Sequence, residues 1–173
     1  MKKSNKKAFT LVELIVVIAI IGILGVGLIS MIVSSTNVFS VVSEGLETKM
    51  VTNSVMQLVT SKVRFAKDLA VMDEVEITDK TYEYLFSRNG RLYTQIADEI
   101  TEVYPEDFYH GYDIEVVFHK ASEATLQVSV IIKKDGVQQY EAQTGIGTQN
   151  TPKIMNHSTK KSNVIRYSLV SGV

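Results

Sequence analysis

Residues 9–33 read FTLVELIVVIAIIGILGVGLISMIV, and Glu13 is the only charged residue between Lys7 and Glu44. Beyond Glu13, residues 14–33 hold one hydroxyl, Ser30, and three glycines, Gly22, Gly25 and Gly27. At about 1.5 Å per residue a helix of that length covers roughly the 30 Å hydrocarbon core of a bilayer, so this segment is expected to cross a membrane. Lys2, Lys3, Lys6 and Lys7 precede it with no acid among them, and no cation follows closely. Basic flanks resist translocation, which keeps the amino terminus cytoplasmic and places everything after the helix outside. A cleaved secretory signal shares the basic start and the apolar run. Its apolar region is shorter, roughly 7–15 residues, and has no use for a carboxylate at its edge. Glu13 is therefore the informative residue. An ionisable side chain in a membrane helix is costly and marks a functional position in need of a partner, and the helix itself offers none.

The run Lys6-Lys7-Ala8-Phe9-Thr10-Leu11-Val12-Glu13-Leu14-Ile15, with the apolar residues on to Leu24, resembles the leader and helix start of type IV prepilins and pseudopilins. The resemblance implies that a membrane-embedded aspartyl prepilin peptidase cuts between Ala8 and Phe9 and methylates the new amine of Phe9. Lys6 and Lys7 then belong to the basic leader, and Glu13, fifth in the processed chain, serves filament assembly. Ala8 stands where the family usually has Gly. The chemistry is coherent without the family: a cut after Ala8 creates an α-ammonium beside an apolar helix that already carries a carboxylate. Among parallel helices the Glu13 carboxylate of one subunit can pair with the terminal ammonium of a neighbour, offsetting the desolvation of both. Apolar contact is nearly indifferent to sliding, so the charge pair would set axial register.

Of the 173 residues 45% are hydrophobic, with two prolines, no cysteine and no tryptophan. That is an ordered, single-domain composition that excludes disulfides, thiolate metal sites and thiol nucleophiles. The basic leader balances a mildly acidic remainder, so overall charge gives no indication of nucleic-acid binding. From Phe39 the apolar residues recur at helical spacing, Phe39, Val42, Leu46, Met50, Val51, Val55, Leu58, Val59 and Val63. The membrane helix is therefore expected to continue as an amphipathic helix to about Ala70; the alternative is two helices broken near Ser34-Ser35-Thr36-Asn37. Strands are expected at residues 75–78, 82–87 and 91–96, with Asn89-Gly90 as a type I′ hairpin turn. Further strands are expected at 114–119, 125–133 and 137–142, with Asp135-Gly136 turning the last pair. Residues 144–163 have the composition of a mobile connection, and residues 164–170 read as a final edge strand. The fold class is α+β: a long N-terminal helix packed on an antiparallel β-sheet head, as in pilins. The partition is 1–8 leader, 9–33 transmembrane or filament-core helix, 34–72 amphipathic helix and 73–173 head.

The chemistry of enzymes is not indicated. His110, His119 and His157 stand in no ligand spacing, and Asp98, Glu99, Glu102, Glu106 and Asp107 form an acidic patch matching no calcium loop. No nucleophile motif or phosphate-cradling glycine loop occurs in a suitable context. Tyr82, Tyr84, Tyr93, Tyr104, Tyr109 and Tyr112 read mostly as sheet and core residues. No residue is nominated as catalytic, and no metal or cofactor is expected. The reading is of a structural subunit, minor rather than major, of a type IV pilus-like or pseudopilus filament serving adhesion, motility, DNA uptake or protein secretion. Its partners are prepilin peptidase, other pilin or pseudopilin subunits, the assembly platform protein and the membrane. It is a single-pass membrane protein before assembly and part of an extracytoplasmic filament or the cell surface afterwards. The alternative is a membrane-anchored extracellular binding domain that never enters a filament.

Overall fold

A computed structural model describes residues 10–75, 80–158 and 161–169. One helix, α1 (Leu11–Arg64), is followed by nine strands: β1 (Ala66–Met72), β2 (Glu83–Arg88), β3 (Arg91–Ile96), β4 (Glu99–Glu102), β5 (Asp113–Lys120), β6 (Thr125–Lys134), β7 (Val137–Gly147), β8 (Met155–Asn156) and β9 (Val164–Leu169). A one-turn 3₁₀ helix, Glu106–Tyr109, precedes β5. This is the expected α+β, pilin-like class. The chain divides into two compact units, Met1–Gly45 and Leu46–Val173.

The described part of the first unit is helix from Leu11 onward. Its large apolar side chains are exposed, Ile18 at 61% and Ile23 at 74% among them. Among the described residues, α1 is the single helix long and apolar enough to cross a membrane. An apolar surface of this size is stable only in lipid or against other apolar helices.

In the second unit the helix becomes one-sided. Val51, Val55, Val59 and Val63, spaced by four, are fully buried and share one core with the inner faces of both sheets. Fully burying such a side chain stabilises by about 1.5–3 kcal/mol relative to leaving it in water, so this stripe anchors the helix to the head. A six-stranded sheet runs β4-β3-β2-β9-β1-β8 and a three-stranded one β5-β6-β7. Both expected hairpins form: Asn89 and Gly90 lie at φ 51 and 75, Asp135 and Gly136 at 51 and 77, positive at both central positions as a type I′ turn needs.

Three expectations need correction. The helix stops at Arg64 rather than near Ala70, because Ala66–Met72 is strand β1. β1 has neighbours on both edges and packs on both faces, Leu69 and Val71 in one cluster and Ala70 and Met72 in the other. That leaves an unbroken apolar run, which does not distinguish strand from helix by period. The last strand is interior, not an edge: β9 sits between β2 and β1, with Val164, Ile165 and Tyr167 buried. The described residues among 144–163 are tied down rather than merely connecting. β7 extends to Gly147, β8 pairs in parallel with β1, and Gln149 N, Asn150 Nδ2 and Thr151 Oγ1 donate to the carbonyls of Arg64, Phe65 and Ala66 at 2.9, 3.2 and 2.7 Å. The first of these satisfies a carbonyl that the end of α1 leaves without a helical donor, and the other two hold the turn into β1. Finally, β4 had no forecast. The strand expected at 75–78 falls, from residue 76 onward, outside the described residues.

Candidate functional site: the helix start and its head

Lys6, Lys7, Ala8 and Phe9 lie outside the described residues, so the expected cut and methylation position have no geometry here. The site becomes visible at Thr10, the residue before the helix. Thr10 N and Thr10 Oγ1 each donate to Glu13 Oε2 at 2.9 Å, and Glu13 N donates to Thr10 Oγ1 at 3.3 Å. This is a reciprocal capping box, Thr-x-x-Glu, in which the cap hydroxyl accepts from the third helical N–H while the carboxylate reaches back to the cap. The helix start therefore supplies the polar partner that sequence reasoning denied to Glu13. The Thr-x-x-Glu spacing that signals it is readable in the sequence. The carboxylate also stands at the positive end of the helix dipole, where negative charge is favoured.

The arrangement fixes three things together. It sets the first helical turn immediately after the expected cut, ties the Glu13 carboxylate back to Thr10, and leaves that carboxylate exposed beside lipid-compatible side chains. Its remaining acceptor capacity is free for an incoming donor of positive charge.

In the head, the acidic patch is dispersed rather than gathered. Glu106 takes Arg91 in a fork, Nε to Oε2 at 3.0 Å and Nη2 to Oε1 at 2.5 Å, and Asp98 takes Lys80 at 2.8 Å. Arg91 holds the Glu106 carboxyl below the usual carboxylate range, and Asp98 raises Lys80. Glu99 and Glu102 lie on the exposed strand β4. Among the described residues no three His, Asp or Glu side chains form a group that could hold a metal ion.

Sequence reasoning passed over Arg91, which organises this end of the head. Its Nη1 donates to the carbonyls of Gly90 and Tyr112, both at 3.1 Å, and its guanidinium lies 4.4 Å from the centre of the Tyr109 ring. The Tyr109 hydroxyl accepts from Leu92 N at 3.2 Å, and burial raises its pKa. Tyr104 stacks on Phe108 and donates to the Ser54 carbonyl of α1 at 3.2 Å. Of the tyrosines read as sheet and core residues, Tyr84, Tyr109 and Tyr112 are buried. A second link joins helix to sheet: Tyr167 donates to Glu83 Oε2 at 2.8 Å, and Lys62 Nζ lies 3.4 Å from the same oxygen.

Residues 3–29 match the family described as the prokaryotic N-terminal methylation motif. The chain carries a type IV prepilin-type signal. The prepilin signal thus spans the basic leader, the expected cut, the capping box and the first half of the apolar helix. No curated protein and no solved structure matches this chain. The prepilin assignment therefore rests on the N-terminal match, with a pilin-like α+β architecture behind it.

Proposed function

We propose that the chain is a structural subunit, minor in its filament, of a type IV pilus-like or pseudopilus assembly. Prepilin peptidase removes residues 1–8 between Ala8 and Phe9 and methylates Phe9. The apolar part of α1 holds the protein in the membrane until an assembly platform protein passes it into the filament. There Glu13 pairs with the methylated α-ammonium of a neighbouring subunit, and residues 9–33 form the filament core while the head faces outward. The filament serves surface attachment, motility, DNA uptake or protein secretion. The match of residues 3–29 to the methylation motif carries this reading, and the exposed, pre-oriented Glu13 carboxylate supports the assembly step.

The test is the N-terminal mass of the protein in sheared surface material and in membranes. A chain beginning at methylated Phe9 and recovered from the surface fraction is expected. A chain that keeps Met1 and stays wholly in the membrane would overturn the proposal in favour of a tethered binding domain. In the same fractions Glu13→Ala should be cut yet absent from the sheared material.

A further inference from the structure

Asn89 is the one asparagine of the chain followed directly by glycine. The pair forms the exposed tip of the β2–β3 hairpin. Such a sequence is open to self-modification, because Gly90 has no side chain to shield its backbone nitrogen from the neighbouring carboxamide. Gly90 N attacks Asn89 Cγ: the N–Cγ bond forms, the Cγ–Nδ2 bond breaks, and Nδ2 leaves as ammonia with the Gly90 amide proton. Water then opens the cyclic imide at either carbonyl. The products are an aspartate in the normal main chain and an aspartate linked onward through its side-chain carboxyl. Water is the only co-reactant.

The folded turn opposes the first step. A type I′ turn holds ψ of its first central residue near about +30°, where Gly90 N lies nearly anti to the Asn89 side chain about the Cα–C bond. Ring closure needs the two nearly eclipsed. Main-chain contacts maintain the closed form: Arg88 pairs with Arg91 across the turn, and the Gly90 carbonyl accepts from Ile114 N at 2.8 Å and Arg91 Nη1 at 3.1 Å.

The two products differ in what they leave behind. Asp135 and Gly136 build the β6–β7 turn at φ 51 and 77, almost the values of Asn89 and Gly90, so a normally linked aspartate at position 89 fits the hairpin. Linkage through the side chain instead adds Cβ to the main chain, inside a turn whose length fixes the strand register. A turn lengthened there no longer fits both the Arg88–Arg91 pairing and the Gly90–Ile114 bond that ties the hairpin to β5.

We propose that Asn89 is a self-modifying site that records opening of the β2–β3 hairpin. The closed turn blocks cyclisation, the open one permits it, and the side-chain-linked product keeps the turn from closing again.

Full-length protein in detergent micelles at mildly alkaline pH, and the same protein in guanidinium chloride, would be digested at intervals and the mass of the Asn89 peptide followed. In guanidinium, Asn89 is expected to exchange amide for acid ahead of every other asparagine. In the folded protein the exchange should be about tenfold slower or more, since the hairpin must first open. Asn89→Gln should show no exchange at this position. Protein enriched in the side-chain-linked form, identified by electron-transfer fragmentation, should melt below the unmodified protein, whereas Asn89→Asp should melt with it. Equal rates in folded and unfolded protein, or equal midpoints for the side-chain-linked form and Asn89→Asp, would overturn the proposal. Neither readout depends on cleavage or filament growth, so this inference and the filament reading can fail separately.

Discussion

Thr10 and Glu13 bind each other in both directions: the threonine amide and hydroxyl meet one carboxylate oxygen at 2.9 Å, and the hydroxyl accepts the Glu13 amide at 3.3 Å. The first helical turn and the orientation of the membrane-boundary carboxylate are thus one structural decision.

That coupling separates two substitutions. Glu13→Gln keeps an acceptor for the cap and removes the charge; Thr10→Val keeps the charge and removes the cap. Amide exchange by NMR in micelles should therefore speed up several-fold across Leu11–Leu14 in Thr10→Val and stay near the unmodified rate in Glu13→Gln. Filament incorporation should fail most severely in Glu13→Gln. If the two variants exchange alike, the capping box does not set the helix start.

At the first hairpin, Gly90 sits at φ +75, and a Cβ there would lie 2.2 Å from Asp113 Oδ1. Gly111 has nearly the same φ, +76, with nothing within 4 Å of the added carbon. The backbone cost of a non-glycine residue in this region is about 1–3 kcal/mol and applies to both. Gly90→Ala should thus lower stability to denaturant clearly more than Gly111→Ala. Equal losses would mean that Asp113 swings away freely.

Around Arg91 the magnitudes favour the two backbone carbonyls over the ion pair. Glu106 is largely exposed, and a solvated pair contributes little. Hydrogen bonds from the guanidinium to the Gly90 and Tyr112 carbonyls, with the Tyr109 ring beneath it, carry more weight. Arg91→Ala should cost about 1–3 kcal/mol in chemical denaturation, whereas Glu106→Gln should barely move the midpoint. The small Glu106 contribution follows its lowered pKa: it is present above the ordinary carboxylate range and lost as pH falls through the folded value.

Tyr167 predicts the alkaline limit. Burial, then the neighbouring Glu83 carboxylate, raises its pKa well above the usual tyrosine value. The unfolded chain loses this proton near pH 10 while the folded one keeps it, so stability is full below that pH and falls as pH rises beyond it. Thermal midpoints measured from pH 8 to 11 should drop less steeply in Tyr167→Phe than in the unmodified protein. Parallel curves would assign the alkaline loss to Tyr104 and Tyr109, which burial also raises.

What the sequence made legible was local. The apolar run, the spacing of Val51, Val55, Val59 and Val63, and the Asn89-Gly90 and Asp135-Gly136 turns each carry their signal within a few residues. β1 and β9 were misread because their surroundings come from distant chain: burial on both faces erases the alternation that betrays a half-exposed strand. The role of Thr151 was equally hidden, since its acceptor, Ala66 O, is 85 positions away. Arg91 looked like one of many surface cations until Gly90, Glu106, Tyr109 and Tyr112 converged on it. For the candidate site, the motif around Glu13 was readable as a pattern, and its mutual bonding with Thr10 emerged only from coordinates.

The interior place of β9 also dictates when the head can exist. Polypeptides leave the ribosome and the translocation pore from the amino end, and here β1 and β2 must wait, side by side but unjoined, for a segment made about eighty residues after β2 to slot between them. On the proposed topology, the head would remain unfinished during that interval while the apolar helix already lies in the bilayer. The order of the strands thus makes closure of the larger sheet a late event in the life of the chain, whichever compartment the head folds in.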